Sequence, residues 1–530
     1  MGFKLFGVVQ TRRSVLGFTW PVGRTPTLER STQAGVCWPG LVAFGPRVVV
    51  STTHVDTRRG HVGSAARLLS FRLRETPQRI GRKAWSRRTG EIAASKRRFR
   101  LVLQDAVPMN GPTELPHAGV HARSAAKGFF EGWYIRVVLP SSATSLAFMY
   151  SIEDGRTGRI QVLSSAGDEL LVSRALADGF FPARCHLPTT GLRIGQWGRT
   201  SDLLSEERAR HARSLAPTLF QRHILTGYQL SMQQHHGAVL AGDVDMELSQ
   251  VSELRGNVAC SFDMQLTPML TWGLDGSRST GTWLTRFQIF EPGWQIISAF
   301  ALSTGTLQDW HGRVFRFDNA PTYIEKNWGS AFPSRWFWLQ CNVFDEIREQ
   351  TPASWPSESD TPLAMTGVGA RRELCWPGQP GRVLTTETIG MIAFHWRGLF
   401  WEFAPWNCRF IRWSVRWGQW HIEAQGTRYS VTVSAETSEP GTLVLGPTRS
   451  GMDFVVRDGT RGTLRLVLYD LQQNAMLLDA LCYERAAVEI GGDLVARADA
   501  PTWSDGRDEF PAPLRTMFLL GERPGRAIQV

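Results

Sequence analysis

From about residue 128 onward, apolar and polar positions alternate along this chain with a period of two. In TLRLVLYD (Thr463–Asp470), Leu464, Leu466 and Leu468 alternate with Arg465 and Val467. Trp413, Val415 and Trp417 alternate with Ser414 and Arg416, and His421–Ala435 reads as two strands broken at Gly426. Tyr134–Leu139 is a short apolar, β-branched run. Successive side chains of a strand point to opposite faces, so such runs between Gly, Pro, Asn and Asp clusters signal half-buried antiparallel strands. Helical periodicity is nearly absent; Ser205–Leu215 is the clearest candidate, as a surface helix. Many short strands predict a sandwich or barrel, and roughly 400 residues of them exceed one small barrel. The expected fold is therefore all-β with two antiparallel β-domains. The junction is expected within Thr304–Ala320, dividing the chain into 106–310 and 311–530. Gln350–Gly381, rich in Pro, Ser, Thr and Gly, reads as a loop insertion, and Arg193–Leu219 as another.

Charge changes the picture at the N-terminus. Of the 530 residues, the first 100 hold 20 Lys and Arg against 4 Asp and Glu. The overall net charge is +11, so everything after that leader is mildly acidic. Basicity confined to the leader removes the nucleic-acid reading that a basic chain otherwise invites. Arg-rich, Ser/Thr-rich and poor in acids, residues 1–105 have the composition of an organellar transit peptide, expected to be disordered. No apolar run approaches the ~18 residues of a spanning helix, so membrane contact is expected to be peripheral.

Hydrophobic residues make up 42% and charged residues 20%, with 21 Trp and 28 Phe against only 7 Tyr. That bias supplies large ring faces with few phenols to satisfy, as a greasy cavity requires. The 7 cysteines show no CxxC spacing, which argues against a disulfide framework and a zinc site. His117 and His121 are four apart, but Pro116 and Gly119 oppose a helix there and no third ligand is near. His235 and His236 read as a solvated turn. With no GxGxxG, P-loop or HExxH motif, no metal and no cofactor are expected.

The candidate chemistry lies in Tyr323–Phe344, YIEKNWGSAFPSRWFWLQCNVF. Here Glu325 sits among Trp328, Trp336 and Trp338, with Trp310 just upstream. A carboxyl in apolar surroundings keeps its proton, and ring faces tolerate a cation, a combination suited to chemistry that passes through a carbocation. Alternation puts Tyr323, Glu325 and Asn327 on one strand face, and Ile324 and Lys326 on the other. Glu131, in the FFEGWY segment, is the second candidate acid, and the residues do not choose between them. Glu291, before Pro292, is third and reads as structural. Trp133 and Trp406 join Trp328, Trp336 and Trp338 as candidate walls of a substrate cavity.

The wording of these segments resembles the tocopherol cyclase family. EKNWG with FP and WFWLQCNVF carries the resemblance, together with GFFEGWYIRVVLP (Gly128–Pro140) and FMYSIED (Phe148–Asp154). FEPGWQI (Phe290–Ile296), ALSTG (Ala301–Gly305), FWEFAPWN (Phe400–Asn407) and AAVEIGG (Ala486–Gly492) continue it in the same order. The resemblance implies two lipocalin-like barrels and a substrate with a benzoquinol ring and a long prenyl tail. It implies addition of the phenol oxygen across the nearest tail double bond, closing a chromanol ring without a redox cofactor. It also implies a plastid location at a plastoglobule or thylakoid surface. In the related hydratases an acid stands in a Y-x-acid-x-N pattern, here Tyr323, Glu325 and Asn327. The family's glycine run after NW appears here as Gly329-Ser330-Ala331. A hydratase of isoprenoid double bonds and a non-catalytic prenyl-lipid carrier are the alternatives.

Overall fold

The computed structural model describes short strands between residues 4 and 70 and, from residue 115, the segments 115–117, 121, 128–140, 144–153, 157–164, 169–176, 192–197, 216, 218–220, 224–231, 233–240, 258–350, 361–377, 379–495 and 502–508. Residues 1–102 form a unit of their own. Within it β1 (Lys4–Thr11) pairs with β2 (Ser14–Pro21), and β3 (Gly40–Phe44) with β4 (Arg47–Ser51) and β5 (Leu69–Ser70). The rest of the expected leader, the expected helix Ser205–Leu215 and the tail after 508 lie outside the described residues.

The second unit holds two large antiparallel sheets. The first comprises β6 (Phe130–Val138), β7 (Ser145–Glu153), β8 (Thr157–Ser164), β9 (Glu169–Leu176), β10 (Leu192–Trp197), β11 (Ile224–Leu230), β12 (Gln234–Leu240), β13 (Val258–Leu270), β15 (Gly293–Gln308) and β16 (Val314–Gly329), with the two-residue β14 (Phe290–Glu291) apart from it. Its order is β10-β11-β12-β13-β15-β16-β6-β7-β8-β9, and β9 returns beside β10 to form a nearly closed barrel. The second sheet begins with β17 (Arg335–Cys341), β18 (Glu346–Glu349), β19 (Ala364–Trp376), β20 (Gln379–Trp396) and β21 (Leu399–Phe403). It continues with β22 (Phe410–Arg416), β23 (Gln419–Gln425), β24 (Tyr429–Glu436), β25 (Thr442–Thr448), β26 (Gly451–Asp470), β27 (Ala475–Gly492) and β28 (Trp503–Asp508). Here β28 follows β22 in the ladder and lies against β20, so this sheet also curls on itself.

Strand faces decide what lies where. On β17, Phe337, Leu339 and Cys341 enter the core of the second barrel with Ile392, Trp413 and Leu466. The alternate residues Trp336 and Trp338 belong to clusters outside that core. On β6, Trp133, Ile135 and Val137 fill the first barrel, while Tyr134 packs outside it against the cluster holding Trp338. Strands at this contact are buried on both faces, which explains why β6 and β17 are near-continuous apolar runs rather than clean alternations. The contact between the outer faces of the two barrels is thus a third core, and it positions the site.

Two sequence-based boundaries move. The first barrel does not end near 310, because β16 pairs with both β15 and β6, so the junction falls between Gly329 and Arg335. Nor is Gln350–Gly381 all loop: residues 351–360 lie outside the described residues, but Ala364–Trp376 is a full strand between β17 and β20. Its glycines misled the reading. A Cβ at Gly369 would stand 2.2 Å from the Phe337 ring, so glycine there makes room for an aromatic of the neighbouring strand. His235 and His236 are not a solvated turn either; both are buried in β12, and the turn precedes them at Ser231.

Candidate active site

Glu325 lies on β16 opposite Tyr134 of β6 and Ile296 of β15. The alternation holds: Ile324 faces the first-barrel core, and Tyr323 faces the contact between barrels. There Glu325 is only 7% exposed. The Tyr323 hydroxyl donates to its Oε2 at 2.7 Å and Trp294 Nε1 to the same oxygen at 2.9 Å. Asn327 Nδ2 reaches Oε1 at 3.2 Å. None of these donors carries a charge. Burial pushes the Glu325 carboxyl above its ordinary value, and the hydrogen bonds from Tyr323, Trp294 and Asn327 only partly oppose that. Two short donors thus crowd Oε2, and Oε1 keeps only the longer contact with Asn327.

Glu325 lines a cavity of about 200 Å³ between the two sheets. Trp294, Trp336, Trp338, Trp406 and Met391 give it apolar walls. Tyr134 stands edge-on to Trp338, with ring centroids 5.3 Å apart. Trp406 is fixed by its indole N–H on Glu402 Oε2 at 3.1 Å, and Arg278 neutralises Glu402 at 2.8 Å. Two more acids line the same cavity from the second sheet, Asp458 on β26 and Glu489 on β27. Trp336 Nε1 donates to Glu489 Oε1 at 2.5 Å. Burial raises the Glu489 carboxyl well above its ordinary value, and the neighbouring Asp458 carboxylate adds to the rise. Burial pushes Asp458 up to about 7, against the pull of the Arg136 guanidinium.

The opposite face of the same strand pair is built differently. Glu131 and Lys326 are both fully buried and meet at 2.5 Å. The backbone N–H of His121 donates to both Glu131 oxygens at 2.9 Å. Burial alone would raise Glu131, but the Lys326 charge and the His121 contacts win and hold it down at about 2. Glu131 is therefore held as a carboxylate paired with Lys326.

Similarity to known proteins agrees with this arrangement of segments. Residues 127–492 match the family model described as tocopherol cyclase-like, over more than half of the chain. The chain belongs to the tocopherol cyclase-like family. It is 32% identical over 410 residues to the chloroplastic tocopherol cyclase of Zea mays, covering 73% of this chain and 79% of that protein. It is 30% identical over 419 residues to a probable chloroplastic tocopherol cyclase of Oryza sativa subsp. japonica, covering 73% and 82% respectively. The crystal structure of kievitone hydratase from Nectria haematococca aligns with 70% of this chain and 90% of its own at 12% identity and a TM-score of 0.34, too weak a likeness to carry a conclusion.

Within this tocopherol cyclase-like chain, the expected residues divide between the two faces. Glu325, Asn327, Trp336, Trp338 and Trp406 converge on the cavity. Tyr323 stands behind Glu325 as its donor rather than in the cavity wall. Trp133 borders the cavity, but its ring packs in the first-barrel core, 5.4 Å from Lys326 Nζ. Trp328 does not line the cavity: its ring stacks on His121 at 4.2 Å and against the backbone of Gly293. Glu291 is structural, accepting the backbone N–H of Ser330 at 2.5 Å and of Gly381 at 3.2 Å. It also accounts for Gly329, where a Cβ would stand 1.9 Å from Glu291 Oε1. Asp458, Glu489 and Trp294 were missed. Asp458 precedes Gly459, which in a sequence reads as a turn, although the pair lies inside the twenty-residue β26. Glu489 was visible as the lone acid of the apolar AAVEIGG segment.

Proposed function

We propose that this protein is a tocopherol cyclase in which Glu325 is the acid. Its proton passes to the nearer carbon of the first tail double bond of a phytylated benzoquinol. The π bond breaks and a tertiary carbocation forms on the neighbouring carbon. The ring hydroxyl then attacks that carbon and closes the chromanol ring. Protonating an unactivated alkene near neutral pH needs an acid that still holds its proton there, and a desolvated carboxyl with neutral partners is such a group. The faces of Trp294, Trp336 and Trp338 stabilise the cation by roughly 0.5–2 kcal/mol each without adding to it. Tyr323 and Trp294 fix Glu325 and take up the charge left on Oε2 after transfer. Asn327 orients the acid. The observation that carries the proposal is the environment of Glu325: buried, without a cationic partner among the described residues, and lining an aromatic cavity.

Tail burial supplies binding at about 0.8 kcal/mol per methylene, before the cost of ordering the chain. A substrate that apolar resides in lipid, which supports attachment of the protein to a plastid plastoglobule or thylakoid surface. The β25–β26 hairpin, whose Val444 and Met452 line the cavity, carries Leu443 and Phe454 with 44% and 50% of their surface exposed. No helix among the described residues is long and apolar enough to cross a membrane.

The test is incubation of the full-length protein with reduced phytylated benzoquinol in liposomes. The expected product is the chromanol, formed without added cofactor. A hydratase would instead give the open-chain tertiary alcohol, one water heavier, and a carrier would return the quinol unchanged.

A further inference from the structure

The cyclisation needs a proton acceptor as well as a donor. As the alkene gains the proton of Glu325, the attacking hydroxyl must lose its own. Glu325 gives up its proton early, and its carboxylate then faces the alkyl carbon rather than the ring oxygen. The cavity's second wall offers another acceptor. Asp458 of β26 and Glu489 of β27 are direct partners in the antiparallel ladder, so their side chains lie side by side on one face. Both line the same cavity as Glu325, from the opposite sheet. Two buried carboxyls placed this way cannot both be ionised, and they hold one proton between them.

Their surroundings divide the roles. Glu489 receives the Trp336 indole N–H. Asp458 is 1% exposed, yet among the described residues neither of its oxygens has a hydrogen bond of ordinary geometry. Its polar neighbours are the Tyr134 hydroxyl and the Gly459 amide. The charged and titratable groups facing it are Arg136 and Tyr134 of β6, Glu325 of β16 and Glu489 of β27. Arg136 is the cation among them, held in place by Gln340 Oε1 at 3.0 Å, Ser145 Oγ at 3.0 Å and the carbonyl of Thr460 at 3.2 Å. Arg372, also on the cavity wall, is committed to Glu387 at 2.7 Å. A buried carboxylate with open acceptor sites on a cavity is costly unless a ligand donor completes it.

Resting on the cyclase reading above, we infer that Asp458, with Glu489 as its protonated neighbour and Arg136 as its counter-charge, is the base that takes the proton of the cyclising quinol hydroxyl. The balance closes without a co-reactant. The alkene π bond and the Glu325 O–H break, and a C–H bond forms. The quinol O–H breaks, a C–O bond forms, and the proton ends on Asp458. Both acids then differ from the starting state by one proton in opposite senses. Tyr134, opposite Glu325 in the ladder and adjacent to Asp458, is placed to pass it back.

The experiment compares Asp458→Asn, Asp458→Glu and Glu325→Gln in the full-length protein, with the phytylated quinol and with a ring-fluorinated, more acidic quinol. Asp458→Asn is expected to lower kcat about 10²-fold or more, the scale of a lost general base, with KM little changed. It should also erase the limb of the pH–rate profile near 7. The fluorinated quinol should recover part of the loss in Asp458→Asn, because it surrenders its proton more readily, and none in Glu325→Gln. Asp458→Glu should keep the limb. If Asp458→Asn turns over like wild type while Glu325→Gln is inactive, the base assignment is wrong and the cyclase reading stands. If both turn over normally, the cyclase site itself is wrong. Should Asp458→Asn fail to fold, the wild type decides: a pH–rate profile with no limb near 7 and no response to ring fluorination overturns the assignment.

Discussion

Glu325 and Glu131 lie on the same two paired strands, on opposite faces, and both are buried, yet their carboxyls shift in opposite directions. On the face turned into the first barrel, Glu131 meets Lys326 and stays ionised. On the face turned toward the second barrel, Glu325 meets a phenol, indoles and an amide, all neutral, and burial prevails. Depth alone therefore does not make an acid. The partner decides, and a strand's period of two is enough to keep a lysine adjacent in sequence away from the acid it would silence.

The contrast can be broken most severely by removing the functional proton. Glu325→Gln keeps the shape and the Tyr323 contact but has no acidic hydrogen, and chromanol formation should fall about 10²- to 10⁴-fold in a turnover assay. Removing the cation from the other face should act on stability instead. Lys326→Met strands a buried carboxylate and should cost about 3–5 kcal/mol in denaturant unfolding, most of it restored by adding Glu131→Gln.

The pH dependence of stability should separate the faces with opposite signs. The folded Glu131 value of about 2 lies below its ordinary 4.5, so its contribution is full above 4.5 and is lost as pH falls toward 2. The folded Glu325 value is raised, so its contribution is present below 4.5 and is lost as pH rises through the folded value. Unfolding curves of Glu131→Gln should lack the acid-side loss, and those of Glu325→Gln the loss on the rising side. The smallest effect concerns the rings. Trp338→Phe should lower kcat several-fold, on the scale of ~0.5–1 kcal/mol of cation stabilisation. Trp328→Phe, on the ion-pair face, should change the melting temperature and leave kcat alone.

Much of this was legible. Period two places Tyr323, Glu325 and Asn327 together and Lys326 opposite from the sequence alone, because side-chain direction on a strand is a matter of counting. Which face would meet what was not legible, since that depends on the non-local pairing of β16 with β6 and on the second barrel covering their outer face. For that reason Glu131 stayed beside Glu325 as a candidate, and Trp328 was placed with the cavity walls. Asp458 was hidden by local chemistry: Asp-Gly has the composition of a turn, and only the β26–β27 ladder keeps it extended. Gly367 and Gly369 disguised β19 for a similar reason, as the second leaves space for Phe337 that composition cannot reveal.

The central claim is that Glu325 is a neutral acid in the resting protein at neutral pH. Infrared difference spectroscopy of wild type minus Glu325→Gln, in light and heavy water, tests it most directly. The account predicts a protonated-carboxyl C=O band, shifted by deuterium and lost with the substitution. A carboxylate band pair in its place would contradict it.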